Sequence, residues 1–135
     1  MKLSVLLIAF LLVGGLSTGS GQTLSTGAAI TWEGNAYDFG EIIAGEKVEH
    51  TFRFSNTGTE PLVITNVQVT CGCTTPKGWP RDPIAPGKKA DLIVQFNSAG
   101  KIGRQNKVVT VVSNAVDGSS QITFTATVLE KKVPN

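Results

Sequence analysis

The sequence predicts an all-β fold, a two-layered sandwich of six or seven strands in a single domain. Three observations carry this expectation. Apolar residues alternate with polar ones instead of recurring at helical spacing. Clusters of Gly, Pro, Asn and Asp punctuate the alternating runs at intervals of about ten residues. No window reads as an amphipathic helix.

The chain of 135 residues opens on MKLSVLLIAFLLVGGLSTGSGQT. One positive charge, Lys2, precedes an uncharged apolar run from Ser4 to Val13. Small residues follow, among them Gly14, Gly15, Ser17, Gly19, Ser20 and Gly21. This is the three-part pattern of a secretory signal peptide. The run is shorter than the about 20 apolar residues that a membrane-spanning helix needs. Cleavage is expected after Gly21, so 1–21 reads as the signal peptide and the product as periplasmic or secreted. No cysteine lies near the cleavage site, which argues against a lipid anchor. Removing 1–21 from the 135 residues leaves 114, enough for one domain with its own hydrophobic core. The formal charge falls from +2 to +1 when Lys2 leaves. A nearly neutral chain offers little to nucleic acid or an anionic membrane surface, so the expected partner is a protein or another cell-envelope component. Export also places the cysteines in an oxidising compartment.

Residues 22–35 follow on a stretch rich in Ser, Thr and Gly and read as a flexible lead-in. The sandwich is expected over 36–130, with a tail at 131–135. In EKVEHTFRFSN (46–56), Val48, His50, Phe52 and Phe54 share one strand face. PLVITNVQVTC (61–71) changes phase between Ile64 and Val67. A one-residue shift flips every side chain to the other face, so a bulge is expected near Asn66. KADLIVQFN (89–97) puts Ala90, Leu92, Val94 and Phe96 on one face. RQNKVVTVVSN (104–114) is a near-continuous β-branched run that suits a central strand. SQITFTATVLE (120–130) sets Ile122, Phe124, Ala126 and Val128 against three threonines. Asn56, Gly58, Gly87 and Asn114 read as turn formers. TTPKGWPRDPIAPGK (74–88), with four prolines, is expected to be a long irregular loop.

Several segments together resemble family 1573 of the domains of unknown function. They are Asp38-Phe39-Gly40, His50-Thr51-Phe52 with Asn56 and Gly58, Cys71-Gly72-Cys73-Thr74, Pro86-Gly87 and Ser113-Asn114-Ala115. The resemblance covers roughly residues 36–128. It implies an exported bacterial domain with an immunoglobulin-like sandwich, similar in layout to Hydin-type domains. It implies no activity.

QVTCGCTTP holds both cysteines, Cys71 and Cys73. They stand too close in sequence to tie the two sheets together. Neighbours of this kind in an extended strand have Cα atoms about 6.6–6.8 Å apart, at the outer limit for a disulfide. Gly72 would let the backbone pinch. The chain-entropy expression assigns such a three-residue loop only about 1.6 kcal/mol before ring strain. A Cys71–Cys73 bond would therefore be a weak staple and a candidate redox pair. A second reading is Cu(I) held by the two thiolates, with His50 as a further ligand. A third is a pair of small, reduced, partly buried side chains on one face with Val67 and Val69.

His50, the sole histidine, shares its face with Val48 and Phe52, which favours a satisfied residue at the core edge over a ligand or base. Trp79 lies among Lys77, Arg81, Lys88 and Lys89. It is either an exposed partner contact with Lys77 and Arg81 or a lid over the sandwich end that shields the cysteines. The whole reads as an exported binding or structural module, without catalytic residues and without a cofactor. A copper-binding or thiol–disulfide protein using Cys71 and Cys73 is the alternative. The expected contact surfaces are a sheet edge and the 71–88 end.

Overall fold

The computed structural model describes residues 14–15 and 26–132. Apart from Gly14 and Gly15, the expected signal peptide and its cleavage site lie outside the described residues, as does the tail from residue 133. The described chain forms eight strands: β1 (Ile30–Trp32), β2 (Ala36–Ile43), β3 (Lys47–Asn56), β4 (Ile64–Val69), β5 (Thr74–Gly78), β6 (Lys89–Asn97), β7 (Gly103–Ser113) and β8 (Ser119–Leu129). One sheet has the order β1-β3-β6-β5 and the other β2-β8-β7-β4. All pairings are antiparallel except β2 with β8.

The period-two pattern is the cause of this layering. Phe52 and Phe54 of β3, Leu92, Val94 and Phe96 of β6, and Ile122, Phe124, Ala126 and Val128 of β8 all turn inward and are buried. Their neighbours Thr51, Arg53, Gln121 and Thr123 remain exposed. β7 is a central strand, as its Val-rich run predicts, with Val109 and Val111 fully buried. The sheets meet through aromatic contacts. Phe96 and Phe124 have ring centroids 5.5 Å apart. Burying a side chain of this size contributes about 1.5–3 kcal/mol.

The expected phase change is present. Ile64 and Asn66 of β4 oppose Ser113 and Val112 of β7, consecutive residues, so Thr65 is the extra residue of a bulge.

Two expectations are corrected. The sandwich starts at Ile30, inside the segment read as a lead-in. β1 pairs with Phe54–Asn56 and, with β5, brings the described strands to eight where six or seven were expected. Trp32 packs on Phe54 at 4.9 Å, and its indole N–H donates to the Ser120 hydroxyl of the other sheet at 2.6 Å. Three residues are too few to show an alternation, which is why the strand was hidden. Residues 74–78 are likewise a strand, not loop. β5 is an edge strand, where Pro76 can lack its N–H without breaking a ladder on both sides. Lys77 is its bulged residue, because Pro76 and Gly78 oppose adjacent Val94 and Ile93.

Asn56 ties three separate segments together at one end. It is wholly buried. Its Oδ1 accepts from the N–H of Ala29 (3.3 Å) and of Gly58 (3.0 Å). Its Nδ2 donates to the carbonyls of Glu60 (2.7 Å) and Ile84 (2.9 Å). Gly58 is required beside it, since a Cβ there would collide with the backbone of Gly27 and Ala28. Asn56→Ala leaves these buried groups unpaired and should cost about 3 kcal/mol in denaturant unfolding. Asn56→Asp keeps the acceptor but sets a carboxylate oxygen against two carbonyls. It should destabilise at least as much.

Candidate functional site

The two cysteines sit where the chain leaves one sheet for the other. β4 ends at Val69 and β5 begins at Thr74 in the opposite sheet. The segment therefore does not stay extended through Cys73, and the four residues from Thr70 to Cys73 form the corner. The N–H of Thr74 donates to the Cys71 carbonyl at 3.1 Å, closing a tight turn. The N–H of Asn97 donates to the Cys73 carbonyl at 2.8 Å, which pins the turn to the end of β6. This folding draws the Cys71 and Cys73 Cα atoms to 5.2 Å and their sulfurs to bonding distance. Gly72 is not what makes the pinch possible. Its backbone is outside the left-handed region, and a Cβ there would meet nothing within 4 Å.

Neither cysteine is fully buried, and Gly72 between them is exposed. Cys73 packs partly against the core. Its N–H also donates to Cys71 Sγ at 3.1 Å. The corner thus holds one sulfur with a backbone donor at 3.1 Å, Cys71 Sγ, and one, Cys73 Sγ, with the Thr74 hydroxyl at 3.9 Å.

His50 is elsewhere. It opposes Val94 of β6, which in turn opposes Pro76 of β5, so β6 lies between it and the corner strand. Its ring stacks on Tyr37 of β2, with centroids 3.6 Å apart and planes 11° from parallel. Phe52 and Phe39 present their edges at 4.7 and 6.5 Å. The structure thus does not bring His50 to Cys71 and Cys73. Among the described residues, no group of three or more His, Cys, Asp or Glu is placed to hold a metal ion.

Trp79 follows β5 at its far end, about 18 Å from Cys73 at the strand rise. It packs partly against the core, as Cys73 does, with the five residues of β5 between them. The expectation of one shared end fails because residues 74–78 extend as a strand between them. The Arg81 guanidinium lies 3.7 Å over the indole. Lys77 is engaged with Glu49 of β3 at 2.9 Å. The indole N–H of Trp79 is buried without a partner among the described residues.

Sequence reasoning passed over Tyr37. Its signal was present in the two-residue spacing of Tyr37 and Phe39. A bulge at 38–41, with Gly40 at φ +73°, lets β2 keep pairing with β8 while Phe39 reaches Phe124 at 5.5 Å. The Asp38 carboxylate accepts from the Gly40 N–H at 2.9 Å. That bond, with help from Thr125 and Arg104, holds its pKa below the usual carboxylate value.

The family described as protein of unknown function (DUF1573) matches residues 30–128. No curated protein matches the chain in sequence. A protein of unknown function from Porphyromonas gingivalis W83 is similar at 18% identity and TM-score 0.66, over 79% of this chain and 50% of its own. The ASH/PapD-like domain 7 of human CEP192 is similar at 12% identity and TM-score 0.61, over 98% of this chain and 99% of that domain. The secreted serine protease VesC from Vibrio cholerae is similar at 14% identity and TM-score 0.60, over 78% of this chain and 24% of the protease. The chain therefore spans about a quarter of VesC and half of the Porphyromonas protein. These likenesses bear on the sandwich alone.

Burial of His50 lowers its pKa from the ordinary 6.5. Between that lowered value and 6.5 the unfolded chain binds more protons than the folded one. The stability contributed by neutral His50 is therefore complete above about pH 6.5 and is lost as pH falls below it. Urea unfolding across pH 5–7 should show this slope in the native sequence. His50→Phe, which keeps an aromatic ring beside Tyr37, should remove it.

Proposed function

We propose that this chain, which belongs to the DUF1573 family, acts as an exported binding or structural module, with a protein or cell-envelope component as partner. One observation carries this reading. On one side of the sandwich, among the described residues, β2 has no strand beyond it, and β3 is paired by β1 only from Phe54 to Asn56. Between these two strands lies the seam of Tyr37, Phe39 and His50. Tyr37 is 40% exposed and Ile43, at the end of β2, is 39% exposed. Free strand edges offer backbone hydrogen bonds to an extended segment, and a tyrosine-bearing seam offers it anchorage. The opposite side is less suited. β5 is short, bulged at Lys77 and carries Pro76, the features that blunt an edge. The basic side chains near Trp79 are also engaged, Lys77 with Glu49 and Arg81 with the indole.

In this reading residues 1–21 direct export, and Cys71 and Cys73 form a disulfide in the oxidising compartment. In that oxidised state the sulfurs offer no thiolate to Cu(I), and the copper reading is kept as the alternative.

A photo-crosslinking amino acid at Tyr37, in the natural host, should yield a discrete envelope adduct. The same group at Gln68, on exposed β4, should not. Ile43→Lys should reduce the Tyr37 adduct at least fivefold without altering the far-ultraviolet circular dichroism. Equal adducts from both positions, or one indifferent to Ile43→Lys, would contradict the reading.

A further inference from the structure

We propose that the Cys71–Cys73 pair is an exchangeable disulfide that oxidises vicinal dithiols of other polypeptides, with Cys73 Sγ as the attacked sulfur. The proposal concerns the corner and does not depend on the β2 side being a docking edge.

Four observations carry it. The bond closes a loop of only three residues, so it constrains the unfolded chain little and opens at small cost to the fold. Exposed disulfides also lie on the oxidising side of the disulfide scale, and both cysteines here are partly exposed. The flanking strands are held without it, β4 by its ladder to β7, β5 by its ladder to β6, and the corner itself by the Asn97–Cys73 hydrogen bond. Reduction therefore leaves both sheets zipped. Access is provided, since both cysteines are partly exposed and Gly72 places no side chain over them.

The fourth observation sets the direction of attack. The Cys73 N–H, 3.1 Å from Cys71 Sγ, favours negative charge on that sulfur more than the Thr74 hydroxyl, 3.9 Å from Cys73 Sγ, favours it on the other. A thiolate at Cys71 is thereby the better leaving group, and lower leaving-group pKa speeds exchange.

A client thiol loses its proton to solvent, and the thiolate attacks Cys73 Sγ. A client–Cys73 disulfide forms, the Cys71–Cys73 bond breaks, and Cys71 leaves as a thiolate that takes up a proton. The client's second thiolate attacks the client sulfur of the mixed disulfide. A client disulfide forms, and Cys73 leaves and is protonated. Two electrons pass from the client to the pair, and the two client protons are replaced on Cys71 and Cys73. A second exchange with a low-molecular-weight disulfide re-forms the pair.

The test uses the purified oxidised protein without oxygen. A reduced peptide carrying two cysteines is added in equimolar amount, and samples are acid-quenched for mass spectrometry. One peptide disulfide should appear for each protein disulfide lost, and C71S/C73S should produce none. Incubation with reduced glutathione should trap the mixed disulfide on Cys73 at least about tenfold over Cys71, as fragment ions distinguish. In a glutathione buffer that leaves a long-loop structural disulfide oxidised, about half or more of the pair should be reduced. A pair that stays oxidised there, or glutathione found chiefly on Cys71, would overturn the proposal. A native circular dichroism spectrum of the reduced protein separates exchange from unfolding.

Discussion

The fold depends on one constraint: every inward-facing side chain of two four-stranded sheets must be buried against the other sheet. Phe52, Phe54, Leu92, Val94 and Phe96 supply one side of that layer, and Val109, Val111, Ile122, Phe124 and Val128 the other. The layer is apolar and continuous. Its contributions of about 1.5–3 kcal/mol per large side chain, set against chain entropy, decide where each strand can lie. Bulges at Thr65, Lys77 and the 38–41 segment are what the strands do when pairing and burial fall out of phase.

Polar groups complete this layer at its margins instead of competing with it. Asn56 joins the backbones of Ala29, Gly58, Glu60 and Ile84 at one end. Ser98, also buried, accepts from the Gly45 N–H at 3.1 Å and donates to the Glu46 carbonyl at 2.7 Å, tying the end of β6 to the β2–β3 turn. Both side chains spend their capacity on loop backbone, which fastens those loops to the ends of the strands. The surface ion pairs, such as Arg53 with Asp91, are exposed on both sides and add little.

Much of this was legible in the amino-acid order. Long alternating runs become β3, β6 and β8, and the phase change near Asn66 becomes a bulge, because burial acts on the same two-residue period that the sequence displays. Short edge strands were not legible. β1 has three residues, and β5 carries Pro76 and Gly78, so local chemistry argued for loop while pairing with β6 decided otherwise. The candidate site was half legible. The proximity of Cys71 and Cys73 follows from their spacing, but the sheet-switching corner, the hydrogen bond on Cys71 Sγ and the distance to Trp79 are tertiary facts. The Tyr37–His50 stack joins residues thirteen apart through the meeting of two sheets, and no local pattern announces that.

The claim on which the account rests is that packing between the sheets holds the domain without help from its two cysteines. Thermal unfolding of the C71S/C73S protein, followed by near- and far-ultraviolet circular dichroism together, tests it most directly. A self-sufficient apolar layer predicts one cooperative transition, seen alike by both signals, with a midpoint lowered by less than about 10 °C. A broad, non-coincident loss of the two signals would contradict it.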